Sequence, residues 1–301
     1  MKVLVYGGTG AQGSAVVRAL LEKGHEAYVL TRNEDKAKEL VAAGAKIKIG
    51  NTNNMESLIS ASRGMDAISL MTPLFTDVLP EVTAKNAIEA TKKAQVPFIV
   101  WNTSGQPKSK NSGNPLLDHQ AATTERLEKS GLKYIKLVPT IYTENLLGPY
   151  TAPFVGKENK LKYPTPANMA INWLPMQDLG RITVAALERP ELCGNTYSIA
   201  STERLNGAEL ATAFSTGLGR EIIFEELPTQ EFGEILDNVF GQGAGHSVAK
   251  EYQGYHDDPS TRDFWHADTS AMQADLGVKT TPIIEWVKQY VVVFSNQAYP
   301  S

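Results

Sequence analysis

Gly7, Gly10 and Gly13 stand three residues apart in the run Val3-Leu-Val-Tyr-Gly-Gly-Thr-Gly-Ala-Gln-Gly13. That spacing lets a chain turn tightly at the first glycine, bring bare backbone against a pyrophosphate at the second, and pack a helix onto a strand at the third. Thr9, Ala11 and Gln12 fill the same turn. The helix that follows would aim unpaired N–H groups and the positive end of its dipole at the phosphate. A glycine triplet alone is weak evidence, and an ordinary strand-to-helix turn with convenient glycines is the bland alternative. Here a Val-rich strand precedes the triplet and an amphipathic pattern over 14–23 follows it, the context a dinucleotide site requires.

A second group of residues bears on which dinucleotide. The next strand ends in Thr31-Arg32-Asn33, with Lys36 a turn further on. An NAD site places Asp or Glu about here to accept from the ribose 2′-OH, whereas an NADP site places a cation for the 2′-phosphate. The chain supplies Arg32 and Lys36, which taken alone could equally solvate a helix start. Beside a phosphate-binding turn they point to NADP(H).

These residues must be held by a scaffold, and the hydropathy pattern describes one. Short apolar runs at 2–6, 26–31, 46–49, 66–71, 97–102 and 133–138 alternate with helical patterns near 14–23, 34–43, 54–62, 78–94 and 116–130. Six β-branched strands separated by helices predict an α/β, Rossmann-type, doubly wound parallel sheet covered on both faces. The rhythm breaks over 139–175, which is rich in Pro, Asn, Tyr and Gly and reads as long loops with one short strand pair. A helix over 178–188 with Asp178 as its N-cap, a strand over 195–199 and a mostly helical remainder follow. The division expected is an NADP-binding domain over 1–150 and a smaller, mostly helical, discontinuous lobe over 151–301, with strand 195–199 returning to the first.

Composition bounds the function classes. The 301 residues are 42% hydrophobic, enough to bury a large core, and the net charge of −4 gives no global field toward nucleic acid or anionic membrane. Cys193 is the single cysteine, so no intrachain disulfide forms and a reducing, cytoplasmic setting is expected. The apolar run at the N-terminus stops at Tyr6, too short for a targeting signal or a membrane span. His246, His256 and His266 recur every ten residues near several Asp, but ten is not a one-face helical spacing, and no metal is expected. Gly241-Gln-Gly-Ala-Gly245 reads as a connection between helices or a hinge.

Ligands of such sheets bind beyond the carboxyl ends of the strands, which directs attention to the loops after 71, 102 and 138, Pro139 included. Tyr142, Asn145, Phe154 and Trp173 lie in the irregular segment that would wall a substrate pocket with apolar and aromatic surface. Ser104 either donates to a substrate oxygen or caps its own loop. His119 is either a proton shuttle or an exposed histidine at a helix start.

At these residues the chain resembles the NmrA-like family of atypical short-chain dehydrogenases, in the branch that holds an NADPH-sensing human member. The glycine turn, Thr31-Arg32-Asn33 with Lys36, Gly50-Asn51, Tyr142-Thr-Glu-Asn-Leu-Leu147, Asp178-Leu-Gly180 and Leu276-Gly-Val-Lys-Thr-Thr-Pro-Ile-Ile-Glu-Trp286 carry the likeness. It implies that Thr72, Pro73 and Ser104 line the dinucleotide and that Asn51, where the family commonly has Asp, lies near the adenine. Two departures concern the chemistry. None of the 11 tyrosines has Lys four residues on, so the usual Tyr-Lys proton donor is absent. Reductases of this branch carry a Lys eleven residues before the position of Gly131, and that place here is Gln120, an amide that orients groups but donates no proton of useful pKa. Two functions are consistent with this: an NADPH-dependent reductase of a small conjugated acceptor such as a quinone or enone, or a non-catalytic NADP(H) sensor acting through a protein partner or a homodimer.

Overall fold

The computed structural model describes residues 1–73, 78–106, 115–241 and 243–295. The first half alternates β1 (Lys2–Val5), α1 (Ala11–Glu22), β2 (Glu26–Thr31), α2 (Lys38–Ala42), β3 (Lys46–Ile49), α3 (Met55–Ser62), β4 (Ala67–Met71), α4 (Pro80–Lys93), β5 (Phe98–Asn102), α5 (Pro115–Ser130) and β6 (Lys133–Pro139). There follow β7 (Ile141–Tyr142), α6 (Ala152–Glu158), β8 (Lys160–Tyr163), β9 (Ile171–Leu174), α7 (Met176–Leu187), β10 (Thr196–Ile199), β11 (Arg204–Leu205) and α8 (Gly207–Leu218). The chain ends with β12 (Ile223–Glu226), α9 (Thr229–Phe240), α10 (Ala244–Asp257), α11 (Ser270–Leu276) and α12 (Ile283–Gln289). None of the described helices is long and apolar enough to cross a membrane.

The chain divides into two compact units. The first takes Met1–Pro139, Met176–Ile199 and Asp268–Lys279, so the stretch 151–301 is interrupted twice by segments that belong with the glycine turn. Its seven strands run in the order β10-β6-β5-β4-β1-β2-β3, each parallel to its neighbour. The expected doubly wound sheet is therefore present, and the order reverses between β1 and β4, where crossovers depart to opposite sides and leave a crevice. Val3, Leu4 and Val5, and all five residues of β5, are buried, as strands covered on both faces must be. Leu4, Ile68, Leu70, Ile99 and Trp101 pack with Leu58 and Ile88 of α3 and α4. On α7, a Cβ at Gly180 would stand 2.4 Å from the Ala15 carbonyl oxygen, so α1 and α7 meet backbone to backbone.

The second unit takes Thr140–Pro175, Ala200–Ala267 and Thr280–Ser301. It holds a three-stranded sheet, β11-β9-β7, and a parallel pair, β12-β8. Tyr150, Tyr163, Trp173, Phe214, Phe232, Tyr252 and Trp286 are among the large aromatic residues of its core.

Several local expectations are corrected. The segment 139–175 is not mainly loop: α6, β8 and β9 lie within it. The one short strand pair expected there is present as β7 with β9, but β8 pairs with residues 223–226 and the other edge of β9 with 204–205, distant partners that no local pattern signals. The helix expected over 34–43 is split into a 3-10 turn, Glu34–Ala37, and α2, because Ala37 at φ −104° and ψ 1° leaves helical geometry. α7 begins at Met176, so Asp178 lies inside its first turn, fully buried against Arg181, and is not the N-cap. Gly245 belongs to α10, where a Cβ would meet the Gly233 carbonyl oxygen at 2.0 Å, so it is a helix-packing residue instead of part of a loose connection.

Candidate nucleotide site

β1 delivers the chain to the crevice, with the Tyr6 N–H donating to the Ser69 carbonyl of β4 at 3.0 Å. Gly7 then turns the backbone at φ +66°, a region that favours glycine, and the Gly10 N–H closes the turn on the Gly7 carbonyl at 2.9 Å. A Cβ on Gly13 would lie 2.2 Å from that same carbonyl oxygen, so only glycine lets α1 approach the turn this closely. Gly10 differs: its nearest obstacle would be the Gly7 oxygen at 3.4 Å, and it borders open space. Gly10 is also the N-cap of α1, with no side chain capping the helix and no acid in its first turn. No capping side chain and no acid thus compete with an anion for the start of α1.

That space is a cavity of about 520 Å³, within the range of small-molecule and cofactor sites. Tyr6, Gly7, Thr9 and Gly10 line it from β1, and Arg32 and Lys36 from beyond β2. Among the described lining residues these two cations are the only charged side chains. The turn that carries Arg32 is fixed by its neighbours: Thr31 Oγ1 accepts the Asn33 N–H at 3.1 Å and donates to the Asn33 carbonyl at 2.8 Å, and Asn33 Oδ1 accepts the Asp35 N–H at 2.9 Å. Burial pushes the Tyr6 phenol well above its ordinary value, so it stays protonated. An open helix start, a bare glycine and a pair of cations suit a ligand with a diphosphate and a further phosphate.

Of the residues singled out from the sequence, Gly7, Thr9, Gly10, Arg32, Lys36 and Pro73 line the cavity; Ala11, Gln12, Gly13, Asn51, Thr72, Ser104 and Pro139 do not. Gly50 and Thr52 line it in place of Asn51, whose Oδ1 accepts the Asn53 N–H at 3.0 Å. Thr72 is fully buried, and Pro139 is buried at the end of β6. Leu30, Met71, Val78 and Thr83 also line it, without having stood out in the sequence. Leu30 and Met71 lie in the carboxyl-terminal ends of β2 and β4 and follow from the carboxyl-end rule, whereas nothing local distinguishes Val78 or Thr83 on the approach to and first turn of α4.

Ser104 and Gln120 meet in the loop after β5. Ser104 has φ +62°, a left-handed conformation costing a non-glycine residue about 1 kcal/mol and concentrated at functional sites. Gln120 is 9% exposed and its Nε2 donates to the carbonyls of Thr103 at 2.8 Å and Gly105 at 3.3 Å. It holds the loop and transfers no proton. His119 beside it is 2% exposed, so it is not a solvent-facing helix-start histidine.

None of the four expected pocket residues of the second unit lines the cavity. Trp173 is a core residue, 1% exposed and edge-on to Tyr163 at 5.2 Å; Tyr142 is buried; Asn145 and Phe154 are half-buried, the latter beneath Lys162 Nζ at 4.1 Å.

A sequence model of the NmrA-like family matches residues 1–287. The chain is 28% identical over 247 residues to an NAD(P)H azoreductase of Xenophilus azovorans, covering 82% of this chain and 83% of the relative. Among solved structures, the triphenylmethane reductase of Citrobacter sp. complexed with NADP(H) superposes with a TM-score of 0.77 at 23% identity, over 95% of this chain and 99% of that one. The NADPH-dependent quinone oxidoreductase of Escherichia coli complexed with NADPH gives 0.76 at 21% identity, over 95% and 99%. The two structural likenesses bear on the fold.

Proposed function

The chain belongs to the NmrA-like family, and from that premise we propose that it is an NADPH-dependent oxidoreductase of a small conjugated acceptor such as a quinone or enone. The observation that carries the reading is the cavity at the ends of β1, β2 and β4, where an uncapped helix start faces the same space as Arg32 and Lys36. The α1 N–H groups and Gly10 would hold the diphosphate, and Arg32 with Lys36 the 2′-phosphate. A bound NADPH supplies a hydride. The family likeness to azo- and quinone-reducing proteins supports an acceptor that is already electrophilic. Such an acceptor asks little acid help, which fits a site with no Tyr-Lys pair and with Gln120 committed to backbone. Ser104 would offer a hydrogen bond to the acceptor by turning its hydroxyl away from Gln12 Oε1, 3.3 Å distant, and water would supply the balancing proton.

That same commitment of Gln120 favours a second reading, a sensor that binds NADPH without turnover and answers to a protein partner or a second copy of itself, as in the branch with the NADPH-sensing member. A reducing cytoplasmic setting, consistent with one cysteine, suits either. Purified protein with NADPH and a panel of quinones, enones and azo dyes decides between them. Acceptor-dependent loss of NADPH absorbance is expected; binding without turnover on the whole panel would replace the enzyme with the sensor.

A further inference from the structure

The left-handed turn at Ser104 is tied to the start of α1 by one buried amide. Asn102, the last residue of β5 and 6% exposed, accepts the Ser104 N–H through Oδ1 at 2.8 Å and donates through Nδ2 to Gln12 Oε1 at 2.8 Å. Ser104 Oγ donates to the same Gln12 oxygen at 3.3 Å. Asn102, Ser104 and Gln12 therefore close a triangle between the β5 loop and the first turn of α1. The flanking peptide is held separately, by Thr103 Oγ1 on the Gly105 and Leu137 carbonyls at 2.7 and 3.2 Å and by Gln120.

We infer that Asn102 is a positioning residue that couples occupancy of the glycine turn to the conformation of Ser104. The inference rests on the reading of that turn as the NADPH site. Gln12 stands between two residues, Ala11 and Gly13, whose N–H groups lie in the open first turn of α1, so a diphosphate settling there fixes the peptide that carries Gln12. Gln12 in turn offers one oxygen to two donors, and any shift of that oxygen is felt by Asn102 and Ser104 together. Asn102 also supplies the acceptor that the left-handed Ser104 N–H uses, so removing it frees the turn to relax toward commoner geometry. A buried network of this kind acts as a unit, and its members are not additive.

Hydrogen exchange of the 102–106 peptide, with and without NADP+, tests this in the full-length protein, alongside calorimetric NADP+ affinity and, where the protein turns over, quinone-reductase kcat. In the unmodified protein NADP+ is expected to slow exchange of this peptide at least fivefold. Asn102→Leu, matched in size and lacking polar atoms, should bind NADP+ within threefold of the parent, show less than twofold protection, and lower kcat tenfold or more. Gln12→Leu, placed on the half-buried first turn where folding is least at risk, should reproduce the loss of protection, and the double variant should be no worse than the poorer single one. Tight NADP+ binding with undiminished protection in both variants would overturn the coupling, as would parallel loss of affinity and protection in Asn102→Leu, the mark of a merely structural residue. Absence of any NADP+ binding to the unmodified protein would instead remove the nucleotide reading on which the coupling stands.

Discussion

Two helices of the same length begin in opposite ways. α8 in the second unit carries a complete capping box: Asn206 Oδ1 accepts the Glu209 N–H at 3.0 Å, and the Glu209 carboxylate accepts the Asn206 N–H at 2.8 Å. α1 in the first unit starts at Gly10 with no side-chain cap at all. The first arrangement caps the helix from within; the second has a bare glycine where the capping side chain would stand. The same contrast separates the units. In the second, the hydroxyls of Tyr163 and Tyr252 face each other within the core at 2.9 Å, while the first opens glycine backbone and two cations onto a cavity.

The largest effect that would sharpen this contrast is alkaline unfolding. Burial raises the phenol of Tyr150 to about 12 and pushes those of Tyr163, Tyr252 and Tyr255 well above their ordinary value. An acid whose folded pKa is raised contributes its full stability below the unfolded value of 10 and loses it as pH rises toward the folded value. Each of the four therefore weakens the fold as pH climbs above the ordinary phenol range, with a slope that approaches about 1.4 kcal/mol per pH unit for a phenol that stays protonated in the fold. Phenolate absorbance and circular dichroism followed together should show these tyrosines ionising only as the second unit unfolds. Smooth ionisation without unfolding would show that the tyrosine core is not closed.

Glycines test the contrast next, since each unit contains one at a backbone crossing. Gly13→Ala and Gly245→Ala both set a Cβ against a carbonyl oxygen, at 2.2 and 2.0 Å, and each should lower stability by about 3 kcal/mol in denaturant titration. Only the first should also abolish NADP+ binding in calorimetry. Equal loss of binding in both would erase the distinction between the units.

The first unit is legible in the sequence and the second largely is not, for a physical reason visible in particular residues. β1, α1 and β2 are built from local patterns, so residue types and spacing alone place the glycine turn and Arg32 on their elements, and both line the cavity. Trp173 illustrates the failure: an aromatic residue in a Pro- and Asn-rich stretch resembles a pocket wall, yet it is buried edge-on against Tyr163, whose own strand pairs with the distant residues 223–226. Asn51 is a different case, flanked by Gly50 and Thr52, which line the cavity. It does follow β3 as expected, but its side chain turns back to the Asn53 N–H, a short-range competition that an Asn in a turn commonly wins. Ser104 and Gln120 do meet at one loop, but their roles depend on a left-handed φ and on carbonyl partners that residue types do not disclose.

A smaller effect concerns the charge on the open side. Arg32 is exposed and the turn beneath it is fixed by Thr31 and Asn33, so Arg32→Ala should leave the fold intact. It should cut the preference for NADPH over NADH by about tenfold, or about 1.4 kcal/mol, in calorimetric titrations of both cofactors. An unchanged preference would pass the 2′-phosphate to Lys36 alone.

The smallest effect compares the two helix starts directly. Asn206→Ala removes a cap from a helix that has one, and should cost about 1 kcal/mol in chemical denaturation without altering NADP+ affinity. Gly10→Asp adds a cap to a helix that lacks one. The backbone there, at φ −90° and ψ 171°, is the extended geometry of an N-cap, and its Cβ would meet only the Gly7 oxygen at 3.4 Å. The carboxylate would take N–H groups of the first turn and complement the dipole, so the ligand-free protein should gain stability of about the same size. It would also place negative charge where the diphosphate is expected, and NADP+ binding should disappear. A gain in stability together with lost binding would show that α1 is left uncapped for its ligand; a loss of stability would mean that the geometry of this turn, and not its vacancy, requires glycine.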